Sequence, residues 1–183
     1  MKVSLPIIET ERLLLREIQE RDMFDMFEYA RLSYVGPVAG WEPHSSVEYT
    51  KDVIKQYRRK YTYGQLGVFA VVLKENGKMI GTAELHTFMP NFKAELGYTI
   101  NPCYWGKGFA LEASTGIIDW WFNELNLKRI ECCSYVENRQ SQRVCEKLGL
   151  TYEGVRKKGY QLYDGTIHDL ICYSITDDEY FGI

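Results

Sequence analysis

The stretch Pro102-Cys-Tyr-Trp-Gly-Lys-Gly-Phe-Ala-Leu-Glu-Ala113 constrains this chain more than any other. It joins a strand-like run at residues 94–100 to a helix-like run that continues to about Phe122. Gly106 and Gly108 leave the junction bare of side chains. The first N–H groups of a helix have no intrahelical partner and lie at the positive end of its dipole. A strand, a glycine turn and a helix in this order therefore suit a ligand carrying a pyrophosphate. The same glycines also serve a plain strand-to-helix turn that needs positive φ. The turn alone leaves both readings open, because short glycine motifs recur by chance.

Two common phosphate loops do not fit. A dinucleotide fingerprint needs Gly-x-Gly-x-x-Gly near the first strand, and here the glycines come late and lack the third. A Walker A loop needs a longer glycine spacing and a Ser or Thr after Gly-Lys, where this chain has Gly108.

Residues 11–18 read as a strand with Leu13 and Leu15 apolar. Residues 20–31 place Met23, Phe24, Met26, Phe27 and Ala30 at helical spacing. Residues 36–43, punctuated by Gly and Pro, read as a loop. Ser45 or Ser46 caps a second helix with Val47, Val53, Ile54 and Tyr57 among its apolar positions. Its Lys51, Lys55, Arg58, Arg59 and Lys60 read as a solvated face rather than a binding patch. Residues 66–74 and 79–88 form strands around Asn76-Gly77, a hairpin signal. The helix after the glycine turn carries Ala110, Ala113, Ile117 and Trp121 on one face. Residues 129–136 form a strand, and residues 138–148 a short helix ending at Gly149. Residues 151–156 return as a strand, and 161–163 and 167–175 flank Asp164-Gly165, a second hairpin signal. With no repeat and no linker, one mixed α/β domain over residues 1–183 is expected.

A formal net charge of −3 with no basic block argues against non-specific binding to nucleic acid. No apolar run approaches the roughly 20 residues that span a bilayer. The opening Met1-Lys-Val-Ser-Leu-Pro6 is too short and polar for a signal peptide, so a cytoplasmic location without membrane association is expected. The five cysteines lack Cys-x-x-Cys spacing and any zinc pattern with His. Reduced, mostly buried thiols and no metal are the expectation.

Several segments also form a recognisable series. They are Glu9-Thr-Glu-Arg-Leu-Leu-Leu-Arg16, then Glu95-Leu-Gly-Tyr-Thr-Ile-Asn-Pro102 with Trp105-Gly-Lys-Gly-Phe-Ala110. After them come Glu137-Asn-Arg-Gln-Ser-Gln-Arg-Val-Cys-Glu-Lys-Leu-Gly-Leu150, Tyr152-Glu-Gly-Val155 and the residues from Asp169 onward. In order and spacing this resembles the GCN5-related N-acetyltransferase (GNAT) superfamily, and within it the Rim-type ribosomal-protein N-acetyltransferase family. The resemblance runs from about Glu9 to about Thr176. It implies a GNAT fold, with a central, mostly antiparallel twisted sheet of about seven strands flanked by about four helices. It implies acetyl-CoA as cosubstrate and an amine as acceptor, most naturally a protein N-terminus. A polyamine or amino sugar is the alternative acceptor, and a non-catalytic acyl-CoA-binding regulatory domain is the alternative role. Monomer and homodimer both remain open.

The resemblance also assigns residues. The phosphates would rest on the main-chain N–H groups of Gly106, Lys107, Gly108, Phe109 and Ala110. Trp105 stands where the wider superfamily has Gln or Arg, as is familiar in the Rim-type branch. The Lys107 side chain reads as solvated. Tyr98, Thr99 and Ile100 would border the acetyl end, with a main-chain N–H near Thr99 or Ile100 as oxyanion donor. Asn138 matches the Asn that contacts the pantetheine arm, while also suiting a helix N-cap. Ser141, one turn on, matches a candidate to protonate the departing thiolate. Cys145 stands where much of the superfamily has a Tyr acid, and reads as a core thiol; Tyr104, Tyr135 and Tyr160 remain possible donors. Glu95 is the first candidate base and Glu84 the reserve, acting through water. An α-amine, with a pKa near 8 against about 10.4 for Lys, needs little help. His44, His86 and His168 read as structural or surface residues, and the loops at 36–43 and 89–92, with Trp41, Phe88 and Phe92, would shape the acceptor cleft.

Overall fold

In a computed structural model describing residues 5–62 and 67–183, strand β3 (Val68–Leu73) is buried along its whole length. Side chains alternate across a strand. Phe69, Val71 and Leu73 thus enter one apolar cluster, while Ala70 and Val72 enter another on the opposite face. An uninterrupted apolar run is what a strand covered on both faces needs. Of the expected strand at 66–74, Leu66 lies outside the described residues.

The other strands are β1 (Ile8–Glu9), β2 (Leu13–Glu17), β4 (Met79–Met89), β5 (Lys93–Ile100), β6 (Arg129–Tyr135), β7 (Thr151–Gln161) and β8 (Ile167–Thr176). Among the described residues they form one eight-stranded sheet in the order β1-β2-β3-β4-β5-β6-β8-β7. Adjacent strands run antiparallel except β5 and β6, which are parallel. The expected architecture is present; the two-residue β1 brings the count above seven.

The helices are α1 (Met23–Ala30), α2 (Gly36–Ala39), α3 (Val47–Thr62), α4 (Phe109–Glu124), α5 (Arg139–Lys147) and α6 (Asp177–Phe181). On α4, Ala113, Ile117 and Trp121 recur every four residues and are fully buried. They pack with Leu13, Leu15, Phe69 and Leu96 on one face of the sheet. Met26, Tyr29 and Ala30 of α1 and Ile54 of α3 cover the opposite face. Ser46 caps α3, its Oγ accepting the Tyr49 N–H at 3.1 Å. Lys51, Lys55, Arg58 and Arg59 of α3 form a solvated face, with Lys51 paired to Glu20 at 2.7 Å and Lys55 to Asp52 at 2.9 Å, but Lys60, expected with them, turns instead towards Glu84 at 3.6 Å.

Three local expectations are revised, and one further element is present. Residues 36–39 are one helical turn rather than open loop: Pro37 supplies a helical φ near the start, and Gly40 ends it at φ 93. Residues 151–161 form one strand instead of two short pieces, because bulges absorb the irregular pattern. Phe24 points outward, with Met26 and Tyr29 taking the core positions. Helix α6 follows β8 directly, started by a capping box between Thr176 and Glu179.

His44 is buried in the α1–α3 layer between the rings of Trp41 and Tyr49, each 5.1 Å away. Thr50 Oγ1 donates its proton to the Ser46 carbonyl at 3.1 Å. It must therefore accept from His44 Nδ1–H across their 2.9 Å contact. Burial lowers the imidazole pKa to about 4. Folding thus favours the neutral ring, and the unfolded chain binds more protons as pH falls from 6.5 towards 4. His44 should withdraw about 2 kcal/mol of stability between pH 6.5 and pH 4.5. Chemical denaturation of wild type and His44→Asn across this range checks it; the variant should lose stability less steeply, and parallel profiles would remove the effect.

Candidate active site

The junction after β5 is held open by its own backbone. A 3₁₀ turn at Pro102–Tyr104 begins at Asn101, whose side chain accepts the Cys103 N–H at 3.0 Å. Gly106 and Gly108 then take φ of 75 and 81, the left-handed region in which a side chain is strained. Gly108 is the N-cap of α4 and its carbonyl accepts the Glu112 N–H at 3.0 Å. Among the described residues no N–H from 106 to 110 donates to the protein itself. A Cβ placed on Gly106 would meet nothing within 4 Å. These are the features of a turn that can hold a diphosphate.

Two side chains brace the turn from either end. Trp105 Nε1–H donates to the Ile100 carbonyl at 2.7 Å, and its ring meets the edge of Tyr34. Glu112, in the first turn of α4, takes hydrogen bonds from the Thr10 hydroxyl at 2.6 Å and from the Arg12 N–H and Nε at 2.7 Å each. Arg12 also donates from Nη1 to the Lys107 carbonyl at 3.0 Å and lies over the Phe109 ring. Burial pulls the Glu112 carboxyl upward, but the bonds from Thr10 and Arg12 outweigh it and hold it below the usual range. The sequence reading misses this clamp. An acidic residue in the first helical turn is its visible half; its partners lie about a hundred positions away. The Lys107 ammonium stands over the Tyr104 ring rather than in the turn, as a solvated side chain should.

The turn opens into a cavity of 750 Å³ that runs over Trp105, Gly106, Gly108, Phe109 and Ala110 to Asn138, Ser141 and Val144 of the α5 segment. A second cavity, of 490 Å³, includes Glu84, Glu95, Gly97 and Arg156 in its lining. Tyr98, Thr99, Tyr135, Asn138 and Ser141 belong to both. The two spaces meet where the sheet parts. β5 and β6 pair only at Lys93–Arg129, Ala94–Ile130 and Glu95–Glu131, and diverge beyond.

Main-chain donors follow from the ladder. Asn101 N–H donates to the Ile80 carbonyl at 2.8 Å. Alternation from that bond turns the N–H of Thr99 towards β4, and those of Tyr98 and Ile100 towards the opening. Of the pair Thr99 and Ile100, Ile100 is the one whose amide faces the gap.

Asn138 caps α5, its Oδ1 accepting the Ser141 N–H at 3.1 Å. This brings the Ser141 hydroxyl 3.0 Å from the Tyr98 hydroxyl across the opening. Burial pushes the Tyr98 phenol well above its ordinary pKa, so it stays protonated. Cys145 is 1% exposed in the α4-side core and lines neither cavity, which suits a packing thiol. Tyr135 lines both, with its hydroxyl buried and unpartnered and its pKa pushed up to about 12 by burial.

On the far side, Glu84 stands 3.6 Å from both Lys60 and His86. The His86 ring lies over Gly97, in space that a Cβ would fill. Glu95 is half-buried and, among the described residues, has neither ion pair nor hydrogen bond. His168 stacks on Tyr135 at 4.5 Å. Trp41 lines this cavity as expected, but Phe88 packs on the α4-side core and Phe92 stands exposed, so neither shapes it. Among the described residues no group of three or more His, Cys, Asp or Glu side chains could hold a metal ion.

The acetyltransferase (GNAT) domain family matches residues 12–151. The uncharacterised N-acetyltransferase p20 of Bacillus licheniformis is 32% identical over 174 residues, covering 94% of this chain and 97% of its own. An acetyltransferase of the GNAT family from Bacillus anthracis superposes with a TM-score of 0.83 at 29% identity, over 95% of this chain and all of its own. A ribosomal-protein-S5-alanine acetyltransferase from Vibrio fischeri gives a TM-score of 0.78 at 28% identity, over 96% of this chain and 99% of its own.

The Glu112 clamp has a measurable consequence. Glu112→Ala removes the acceptor that Thr10 and the partly solvated Arg12 share and should lower the unfolding free energy by about 1 kcal/mol. Denaturant titration at neutral pH reads this directly. An unchanged midpoint and slope would show that the clamp carries no load.

Proposed function

The chain belongs to the GNAT family of acetyltransferases, and from that premise we propose that it moves an acetyl group from acetyl-CoA directly to a protein's N-terminal α-amine. It is an N-acetyltransferase; the acceptor and the residue roles are our reading. The observation that carries it is the meeting of two cavities at the β5–β6 opening, with partnerless turn amides on one side and a free carboxylate on the other.

In this reading the N–H groups of Gly106, Lys107, Gly108, Phe109 and Ala110 hold the diphosphate of acetyl-CoA. Trp105 anchors the turn to Ile100, and Tyr98, Thr99 and Asn138 border the pantetheine arm as it enters the gap. The Ile100 N–H faces the thioester carbonyl and stabilises charge developing on its oxygen. Glu95, directly or through water, takes the proton that the attacking amine must lose. It is preferred to Glu84, whose charge is matched by Lys60. As the amine bonds to the acyl carbon and the carbon–sulfur bond breaks, Ser141 Oγ gives its proton to sulfur. Tyr98, 3.0 Å away and kept protonated by burial, can replace that proton.

An N-terminal amine suits this equipment because its pKa near 8 demands only one modest base. Likeness to a ribosomal-protein acetyltransferase supports the same acceptor class. A polyamine would want several free carboxylates, and Glu84 is already paired. Thiol release from acetyl-CoA with N-terminal peptides and with spermidine tests the acceptor; turnover of spermidine alone would overturn it.

Two substitutions test the roles. Gly108→Asp adds bulk and charge where phosphate should sit, and should weaken coenzyme A binding by at least about a hundredfold, read by calorimetry. Undiminished affinity would refute the turn. Ser141→Ala should lower kcat by about tenfold to a hundredfold with little change in coenzyme affinity; an unaffected kcat would remove Ser141 from the acid role.

A further inference from the structure

The acceptor-side cavity has a cation on its β7 wall. Arg156 lines it and, among the described residues, has neither a hydrogen bond nor an ion pair to its guanidinium. Its placement is built by the local backbone. The β7–β8 register shifts between Arg156 and Tyr160. Within this bulge Lys158 takes φ 50, and its N–H donates to Asp169 Oδ1 at 2.7 Å. A Cβ on Gly159 would come within 2.9 Å of the Arg156 carbonyl oxygen and 3.1 Å of its Cγ and Cδ, so both the backbone of the bulge and the arginine stem close over the bare glycine. The Tyr160 hydroxyl donates to the Gly40 carbonyl at 3.0 Å and fixes the far end of the bulge beside α2. Bulges beside sites re-aim side chains, and here the re-aimed side chain is Arg156.

The sheet register relates this cation to the carboxylate. Glu95 pairs with Glu131 on β6, Tyr135 pairs with Leu170 on β8, and Leu170 pairs with Arg156 on β7. Alternation along β6 puts Glu131 and Tyr135 on one face, so Glu95 and Arg156 share that face. Lys60 and His86, which also line the cavity, are grouped around Glu84. What remains without a hydrogen bond or ion pair among the described residues is one anion, Glu95, and one cation, Arg156, which lies in the field of Glu95 and Glu131.

We propose that Arg156 is an acceptor-binding residue that selects an anionic group: the preferred substrate is a peptide N-terminus with an acidic side chain one or two residues beyond the amine. This rests on the acetyl-transfer reading above. Three strand spacings of about 4.8 Å and a four-residue offset along β6 separate the backbones of Glu95 and Arg156, and both residues line the cavity. The carboxylate of a free α-amino acid lies too close to its own amine to span them. An acidic side chain at the second or third position has the reach, and guanidinium binds carboxylate with paired donors.

Two otherwise identical short peptides, beginning Ala-Asp and Ala-Asn, test this with the full-length protein. Thiol release from acetyl-CoA is measured for each, together with equilibrium binding of each in the presence of coenzyme A. Wild type should favour the acidic peptide by about tenfold in kcat/KM and in affinity, and raised ionic strength should narrow the preference. Arg156→Gln should bring the two peptides within about twofold. Gly159→Ala, which crowds the Arg156 carbonyl and the arginine stem and so displaces the bulge without removing the charge, should reduce the preference as well. Equal use of both peptides by wild type, a preference that survives in Arg156→Gln, or binding of neither peptide would overturn the proposal. Acidic preference in binding that is lost in Arg156→Gln, without any thiol release, would sink the transfer reading and leave the anion site standing. Thiol release without charge preference would do the reverse.

Discussion

β5 and β6 share three residue pairs and then part, and the site depends on that interrupted ladder. Backbone groups stripped of a partner must find another. Past Glu95, the side of β5 facing β6 has none from the sheet. One of these groups, the Ile100 carbonyl, is taken by the Trp105 indole. The Tyr98 side chain meets Ser141 across the gap. The amide of Ile100 stays available to a ligand. A complete ladder would have closed the passage between the two cavities, and the glycine turn would have led nowhere.

The gap is tolerable because the surrounding sheet is rigidly held. β3 is buried on both faces, and α4 lies against one side while α1 and α3 lie against the other. Helix α4 therefore serves twice. Its buried face of Ala113, Ile117 and Trp121 fixes it to the sheet, and its first turn offers unpaired N–H groups to the cavity. Glu112 couples the two roles by joining that first turn to Thr10 and Arg12 before β2. The bulge in β7 does comparable work on the acceptor side, where Gly159 and the Tyr160–Gly40 bond set the direction of Arg156.

Local chemistry was legible wherever a feature needs only its neighbours. Asn76-Gly77 and Asp164-Gly165 announce hairpins because glycine relieves positive φ. Gly149 ends α5 for the same reason, and Asn138 caps it because a short acceptor side chain reaches the N–H of Ser141. Where sequence reading went astray, a distant partner decided. Residues 151–161 run as one bulged strand whose Lys158 amide is taken by Asp169 eleven positions on. Phe88 and Phe92 were plausible cleft residues by proximity in sequence, but the Met89–Lys93 register leaves one against the core and the other in solvent.

By itself the sequence determined the glycine turn, the hydrophobic faces and the order of strands and helices, because each follows from spacing of 2 or about 3.6 residues and from backbone freedom. The likeness of the ordered segments to a known family rests on the same local patterns. Only tertiary structure decided where the sheet parts, that Tyr98 meets Ser141, that Glu84 is matched by Lys60 while Glu95 is not, and that Arg156 shares Glu95's face of the sheet. Those are relations between residues tens of positions apart. Strand register and bulges create them, and no local pattern encodes which strand will stand beside which.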